Sequence, residues 1–265
     1  MQNSSNTKER GNAIYGRIRV RGILGDAVSQ LGTAIVGGRW AEGEAISKES
    51  QLVEELEVSR SVVREACRIL GAKGLIKSKT SAGTRVQPRS SWRLLDPDVM
   101  DWRIQAGDRK RLLRDLLKFR CVVEPGIAYV AAESTDEVAR AQIVQAWEAK
   151  KTAYFEDTPD ELARRDAFID TDLAFHEAFV NAANSEMLGQ IFGTISSALS
   201  LLFDHQMRAR GYTDRMVGME ETHELHERVY EAFVRRDAAG AELAMRSLIE
   251  CAIQDAELGF NPLEN

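Results

Sequence analysis

The chain has 265 residues, 44% of them hydrophobic and 29% charged, which is typical of a soluble globular protein and long enough to predict two domains. Residues 1–92 hold 15 Lys and Arg against 9 Asp and Glu, a net of +6, and the remainder carries −12, so we expect only the N-terminal part to meet a polyanion. No run approaches the ~18–20 apolar residues that span a bilayer, and the polar N-terminus lacks the apolar core of a secretory signal, so we expect a cytoplasmic protein without membrane contacts.

The N-terminal third predicts three helices followed by a hairpin. Residues 1–22 are polar and Arg-rich without helical periodicity, which indicates a flexible basic arm. Apolar spacing and turn residues then predict a domain over 23–89. Its elements are helices at 23–37, 48–56 and 60–72, with Ser59 as N-cap of the third, and strands at 75–78 and 84–86. This order is the outline of a winged helix-turn-helix.

The rest of the chain predicts a mainly α protein. Residues 90–108 show no clean period and contain Asp96-Pro97, so we interpret them as an ordered linker. An all-α domain over 109–258 follows, with a short tail at 259–265. Its predicted helices, which make a six-to-seven-helix bundle, lie near 109–132, 135–155, 159–182, 185–209, 215–236 and 238–258.

The three cysteines, Cys67, Cys121 and Cys251, are far apart and lie inside predicted helices. An odd number without close spacing argues against a disulfide framework or a cysteine-based zinc site. We therefore expect reduced, partly buried thiols.

The third helix divides into an apolar face and an arginine face. At 100° per residue, Val62, Ala66, Ile69 and Leu70 share one arc, while Arg60, Arg64 and Arg68 lie on the opposite side, beside Ser61. Guanidinium groups at the start of a recognition helix can bind guanine or clamp phosphates in the major groove, and Ser59 and Ser61 can bond phosphate. The stripe alone fits a solvated basic face equally well.

The segment order resembles the GntR family of bacterial repressors. Val58-Ser59-Arg60, Val63-Arg64-Glu65-Ala66, Gly74-Leu75-Ile76 and Gly83-Thr84-Arg85-Val86 match the pattern of that family in register. The resemblance implies that Ser59, Arg60, Ser61 and Arg64 contact DNA and that the wing at Thr80–Gly83 reaches the minor groove. The family usually has Pro-Ser-Glu-Arg before the second helix, where this chain has Ser47-Lys48-Glu49-Ser50; Lys48 is a candidate replacement for the missing arginine contact.

Ionisable residues lie on the apolar faces of three C-terminal helices. They are Arg120 with Glu124 on the first, Asp172 with His176 on the third, and His226 on the fifth. Buried charges need partners, so each should face a polar group, a metal or a ligand. A single buried His is usually structural, but three such faces favour a shared polar cavity that binds a small effector.

The C-terminal half, with these residues at their spacing, resembles the FCD ligand-binding domain of FadR-type GntR regulators. The resemblance implies an effector site at Arg120, Glu124, Asp172, His176 and His226, with Asp172, His176 and His226 as ligands of a divalent metal such as zinc or nickel. The position of a further metal-binding His is occupied by Leu248, and His223 is a candidate substitute. The planar guanidinium of Arg120 can bind a carboxylate through two hydrogen bonds. The linker at 90–108 resembles that of aldonate regulators.

We therefore expect a homodimeric repressor of a sugar-acid operon that a small carboxylate releases from double-stranded operator DNA, and no enzyme activity. A metal-dependent hydrolase in the helical domain is the alternative from another class, since Asp and His sites can activate water. An activator, or a regulator that answers to a dicarboxylate, an amino acid or a fatty-acyl effector, remains open.

Overall fold

A computed structural model describes residues 22–79, 83–155, 160–209 and 219–260. The chain divides into two compact units, Met1–Leu112 and Leu113–Asn265. Nearly all of the expected N-terminal arm and most of the expected tail lie outside the described residues, as does Thr80 of the predicted wing contact. No helix of the described ranges is long and apolar enough to cross a membrane.

The N-terminal unit contains the predicted three helices and hairpin. Their bounds are α1 Gly22–Val36, α2 Glu49–Leu56, α3 Arg60–Ala72, β1 Ile76–Lys79 and β2 Gly83–Val86. The strands pair antiparallel, with Ile76 opposite Val86 and Lys79 opposite Gly83, and a bridge from Ala45 to Arg85 extends the sheet. The winged helix-turn-helix is thus present as expected.

Local sequence explains both ends of α3. The Ser59 hydroxyl accepts a hydrogen bond from the Val62 amide at 3.4 Å, as an N-cap does. Beyond the last turn, Gly74 has φ +79°, and a Cβ there would lie 2.1 Å from the carbonyl oxygen of Ser91. A glycine is therefore required where the chain leaves the helix.

The apolar face of α3 is rotated slightly from its predicted position. Val63, Ala66 and Leu70 are buried in the core of the unit, whereas Val62 and Ile69 are half-buried at its edge. The arc drawn from the sequence included Val62 and left out Val63. Arg60, Arg64 and Arg68 lie on the solvent side of the helix, as predicted.

Segment 90–108, which we expect to be an ordered linker, contains two short helical elements that its pattern did not predict. A 3₁₀ turn at Arg89–Ser91 leads to α4, Pro97–Gln105, and the buried Val99 and Trp102 belong to the N-terminal core. Asp96 caps α4, and Pro97 occupies its first turn, where a missing N–H costs nothing. The Asp-Pro pair therefore starts a helix rather than breaking one.

The C-terminal unit is all α in its described residues. Its helices are α5 Arg109–Glu133, which begins in the first unit, and α6 Glu137–Phe155, α7 Glu161–Ala182, α8 Glu186–Ala209, α9 Met219–Val234 and α10 Ala238–Phe260. Helix α6 packs on α7 and α9, and α9 packs on α10. Phe175, Phe179, Val229 and Phe233 are central members of the core, which confirms the helical bundle expected from the sequence.

Candidate functional sites

The arginine face of α3 lies at the surface. Arg60 is exposed, and the side chains of Arg64 and Arg68 are each 72% exposed. Beside them, the hydroxyls of Ser59 and Ser61 lie 2.8 Å apart at the helix N-terminus. This end of α3 therefore presents guanidinium, hydroxyl and backbone N–H donors together, all of which bind phosphate or base edges.

Two of these arginines are held by carboxylates of the same unit. Arg64 Nε donates to Glu49 Oε2 at 2.9 Å, and Arg68 Nε donates to Glu65 Oε2 at the same distance. The hydrogen bond from Arg64 lowers the pKa of Glu49. Exposed pairs of this kind are weak, so phosphate can compete for both guanidinium groups. Glu49, which stands in the Pro-Ser-Glu-Arg position of the sequence, was not predicted as a partner of Arg64.

The other predicted DNA contacts surround α3. Lys48 is exposed at the N-terminus of α2, where its backbone N–H donates to Gln51 Oε1 at 2.9 Å. Gly83 begins β2 with φ +71° at the end of the wing turn, a conformation that favours glycine. A surface groove of about 340 Å³ lies between α2, α3 and the hairpin, and Glu49, Arg64, Arg68, Ser78 and Thr84 are among its lining residues.

In the bundle, the five predicted effector residues come together. Arg120 and Glu124 of α5 are 3% and 2% exposed and form an ion pair, in which Arg120 Nη2 donates to Glu124 Oε2 at 3.3 Å. Nδ1 of His176 lies 2.6 Å from the same carboxylate oxygen. On the other side of the His176 ring, Nε2 lies 3.9 Å from Oδ2 of Asp172, which is also on α7. The polar groups therefore form one buried cluster rather than three separate sites.

His226 of α9 completes the cluster. Its Nδ1 lies 2.6 Å from the carbonyl oxygen of Thr222, and because a carbonyl can only accept, Nδ1 carries the proton. Its Nε2 lies 3.0 Å from Asp172 Oδ1 without hydrogen-bond geometry, and among the described residues Nε2 has no hydrogen-bond partner. A nitrogen lone pair and a carboxylate oxygen thus converge, an arrangement that a bound cation would stabilise.

Burial and charge fix the ionisation of this cluster. Burial, helped by the nearby Lys150, lowers the pKa of His226 to about 4. Burial raises the pKa of Glu124, but the Arg120 charge and His176 outweigh it and bring the value down to about 2. Near neutral pH the cluster therefore combines a neutral imidazole at His226 with ionised carboxylates.

Lys150 of α6 is a member of the cluster that the sequence did not identify. It is 1% exposed, and its Nζ donates to Asp172 Oδ1 at 2.9 Å and lies 4.5 Å from the centre of the Phe168 ring. Trp147 and Ala153 on the same face of α6 are buried. A charge on an apolar face also identified Arg120, but a lysine stem can cover apolar surface while its ammonium reaches solvent, so the same pattern did not single out Lys150.

The three predicted metal ligands fit a divalent ion in type and spacing. Asp172, His176 and His226 each offer one ligand atom, and these atoms lie within 4.8 Å of one another. An oxygen and two imidazole nitrogens, with coordination positions left over, are a set that zinc or a similar metal accepts. The converging lone pair of His226 supports this fit.

His223 does not join this set, contrary to its candidacy as a substitute ligand. Its ring stacks on Tyr154, with centroids 4.0 Å apart and planes at 4°, and on Trp147 at 5.3 Å. Leu248, at the position of the further His, is buried in the apolar core. The set therefore stops at three protein ligands among the described residues.

Comparison with known proteins gives matches to both units. Residues 25–86 match the family described as bacterial regulatory proteins, gntR family, and residues 115–250 match the FCD domain. The galactonate operon transcriptional repressor of Escherichia coli (strain K12) is 32% identical over 222 residues, 84% of this chain and 91% of that protein. The HTH-type transcriptional regulator LutR of Bacillus subtilis (strain 168) is 29% identical over 211 residues, 80% of this chain and 90% of that protein. A solved structure of Lar, which controls expression of the Listeria monocytogenes agr system, covers 90% of this chain and 98% of its own with a TM-score of 0.53 at 17% identity, a similarity of fold alone.

Proposed function

Because the chain belongs to the GntR family of bacterial regulatory proteins and carries an FCD domain, we propose that it represses a catabolic operon and leaves its operator when a small carboxylate binds the bundle. The family makes it a DNA-binding transcription regulator and not an enzyme, so the hydrolase alternative is not favoured. As it acts on the chromosome, we place it in the cytoplasm.

The observation that carries the DNA-binding role is the exposed arginine face of α3. Arg60 and Arg64 project from the first turns of a helix whose other face is buried, which is how a recognition helix enters the major groove. Ser59 and Ser61 add phosphate contacts at the helix N-terminus, Lys48 adds a positive charge beside α2, and Gly83 adds a backbone contact at the wing. Thr80 completes the proposed wing contact with the minor groove.

Two such helices are needed to occupy a symmetric operator. Half-sites about one DNA turn apart require two copies of the domain, so we propose that the chain acts as a homodimer. Effector control is then a coupling free energy between the two binding events, on the order of 1–3 kcal/mol.

The effector site is proposed to be the polar cluster of Arg120, Glu124, Asp172, His176 and His226. Arg120 is a buried, permanently charged fork, and guanidinium binds carboxylates through two parallel hydrogen bonds. The remaining members offer carboxylate and imidazole groups for the hydroxyls of a sugar acid. The relative that represses a galactonate operon supports an aldonate or a related sugar acid as the effector.

A divalent metal such as zinc or nickel would be held by Asp172, His176 and His226. When bound, it supplies a Lewis acid that attracts carboxylate and hydroxyl oxygens. Arg120 and Glu124 lie outside the ligand set and orient the acid by charge and hydrogen bonding.

Operator release tests this function. Fluorescence anisotropy at fixed salt, with a palindromic fragment from upstream of its own gene, should show specific binding that galactonate or a related sugar acid reverses. Arg120→Lys keeps the charge but loses the fork, so it should bind the operator normally and need at least about tenfold more acid for release. Arg228→Lys, on an exposed face of α9, is the matched control and should behave like wild type. Operator binding that no sugar acid alters would contradict the proposed effector.

A further inference from the structure

Asp172 already has a cation within the protein. Lys150 Nζ lies 2.9 Å from Asp172 Oδ1, the same oxygen that lies 3.0 Å from His226 Nε2. The Lys150 side chain is 1% exposed, whereas that of Asp172 is 19% exposed. The ammonium therefore approaches this carboxylate from the inside of the bundle.

Each carboxylate of the cluster already has a cationic side chain of the protein beside it. Arg120 pairs with Glu124, and Lys150 pairs with Asp172. An added divalent cation would bring two positive charges to within a few ångströms of an ammonium in a poorly solvated site, which is strongly unfavourable. A metal can bind Asp172 favourably only if Lys150 gives up its contact with that oxygen.

We propose that Lys150 competes with a divalent metal for Asp172 and thereby sets the metal affinity of the cluster, an inference that rests on the metal and effector site proposed above. The lysine acts as a tethered cation that keeps Asp172 paired in the metal-free site. Its flexible four-carbon stem lets the ammonium leave the carboxylate without a backbone rearrangement. The ring of Phe168, 4.5 Å from Nζ, gives the cation a second favourable contact besides Asp172.

The competition makes a prediction about binding of metal alone. Full-length protein stripped with a chelator is titrated with Zn²⁺ by calorimetry, together with its Lys150→Met and Lys150→Arg variants. Methionine fills a similar volume without charge, so Lys150→Met should bind Zn²⁺ at least about tenfold more tightly than wild type. Arginine keeps the charge and grips a carboxylate with two hydrogen bonds, so Lys150→Arg should bind Zn²⁺ no more tightly than wild type. Lys151→Met, at the exposed neighbouring position, is the control and should match wild type.

Thermal melting gives a second readout that does not depend on the titration. Lys150→Met leaves Asp172 without its cation, so its melting temperature in chelator should fall below that of wild type, and Zn²⁺ should raise it more than it raises the wild-type value. An affinity for Zn²⁺ that is unchanged or lower in Lys150→Met, including no binding by either protein, would overturn the competition.

The two proposals fail in different ways. Tighter Zn²⁺ binding by Lys150→Met combined with an operator complex that sugar acids do not release would refute the effector assignment and leave the competition standing. Unchanged Zn²⁺ affinity combined with normal release by sugar acids would refute the competition and leave the effector site standing.

Discussion

At the scale of residues, ionisable side chains from four helices meet inside the bundle. The five residues proposed for the effector site were predicted because each is a charge or imidazole on an apolar helical face, and all five lie in one polar cluster of the bundle. Lys150 was missed because a lysine stem also covers apolar surface while its ammonium reaches solvent, so its spacing alone does not indicate burial. Arg64 of α3 pairs with Glu49 of α2. This pairing depends on how the two helices pack, which the sequence of neither helix shows.

At this scale, the cluster predicts a dependence of stability on pH. The pKa of His226 is about 4 in the folded protein, against about 6.5 when unfolded. Between these values the unfolded chain binds a proton that the folded chain does not, so folding stability is full above pH 6.5 and falls as the pH drops toward 4. The loss from this group should reach about 3 kcal/mol at the acidic end. Glu124, with its pKa of about 2, adds a separate loss only below about pH 4.5.

Denaturant unfolding of wild type and His226→Asn in chelator, at several pH values, measures this contribution. Asparagine can still donate to the Thr222 carbonyl but does not titrate. The wild-type free energy of unfolding should therefore decline more steeply than that of His226→Asn between pH 6.5 and 4. Equal slopes for the two proteins would show that His226 is not held neutral by burial.

At the scale of elements, the helices were predicted from periodicity and caps, and their ends from turn residues. Ser59 starts α3 as expected, and the hairpin follows Gly74. Helix α4 was missed because its buried residues, which include Arg103, do not form one apolar face of helical period, although Asp96 and Pro97 are good start signals. Its burial against α1 comes from tertiary contact, where a Cβ at Gly32 would lie 2.5 Å from the Trp102 ring.

The exit from α3 is expected to tolerate no side chain. In Gly74→Ala, both the positive φ and the clash with the Ser91 carbonyl oxygen should lower the free energy of unfolding, by at least ~2 kcal/mol together. Gly38→Ala is a matched control, because Gly38 has a φ of +82° but nothing within 4 Å of the place that a Cβ would take, so it should lose only ~1 kcal/mol. Urea denaturation of both variants measures the difference. Equal losses of unfolding free energy would mean that the backbone at Ser91 moves away from the added Cβ at little cost.

At the scale of the whole molecule, the basic and acidic parts of the sequence carry different candidate sites. The basic N-terminal residues include the winged helix-turn-helix and its exposed arginines, and the acidic remainder contains the buried cluster. Fold class and family could be predicted from the sequence, because motif order and helical periodicity are local properties. The ion pairing inside the bundle could not, because it depends on four helices that bring Glu124, Lys150, Asp172 and His226 together.

The proposed contact between the arginine face of α3 and DNA bases is tested most directly by the specificity ratio, the affinity for the operator divided by the affinity for a scrambled duplex. At one fixed salt concentration, the affinity of wild type, Arg60→Ala and the C-terminal control Arg235→Ala is measured for the operator and for a scrambled duplex. Loss of a base-contacting arginine should lower the ratio of the two affinities in Arg60→Ala by roughly 10- to 100-fold and leave Arg235→Ala unchanged. An Arg60→Ala protein that keeps the full wild-type ratio would contradict the account.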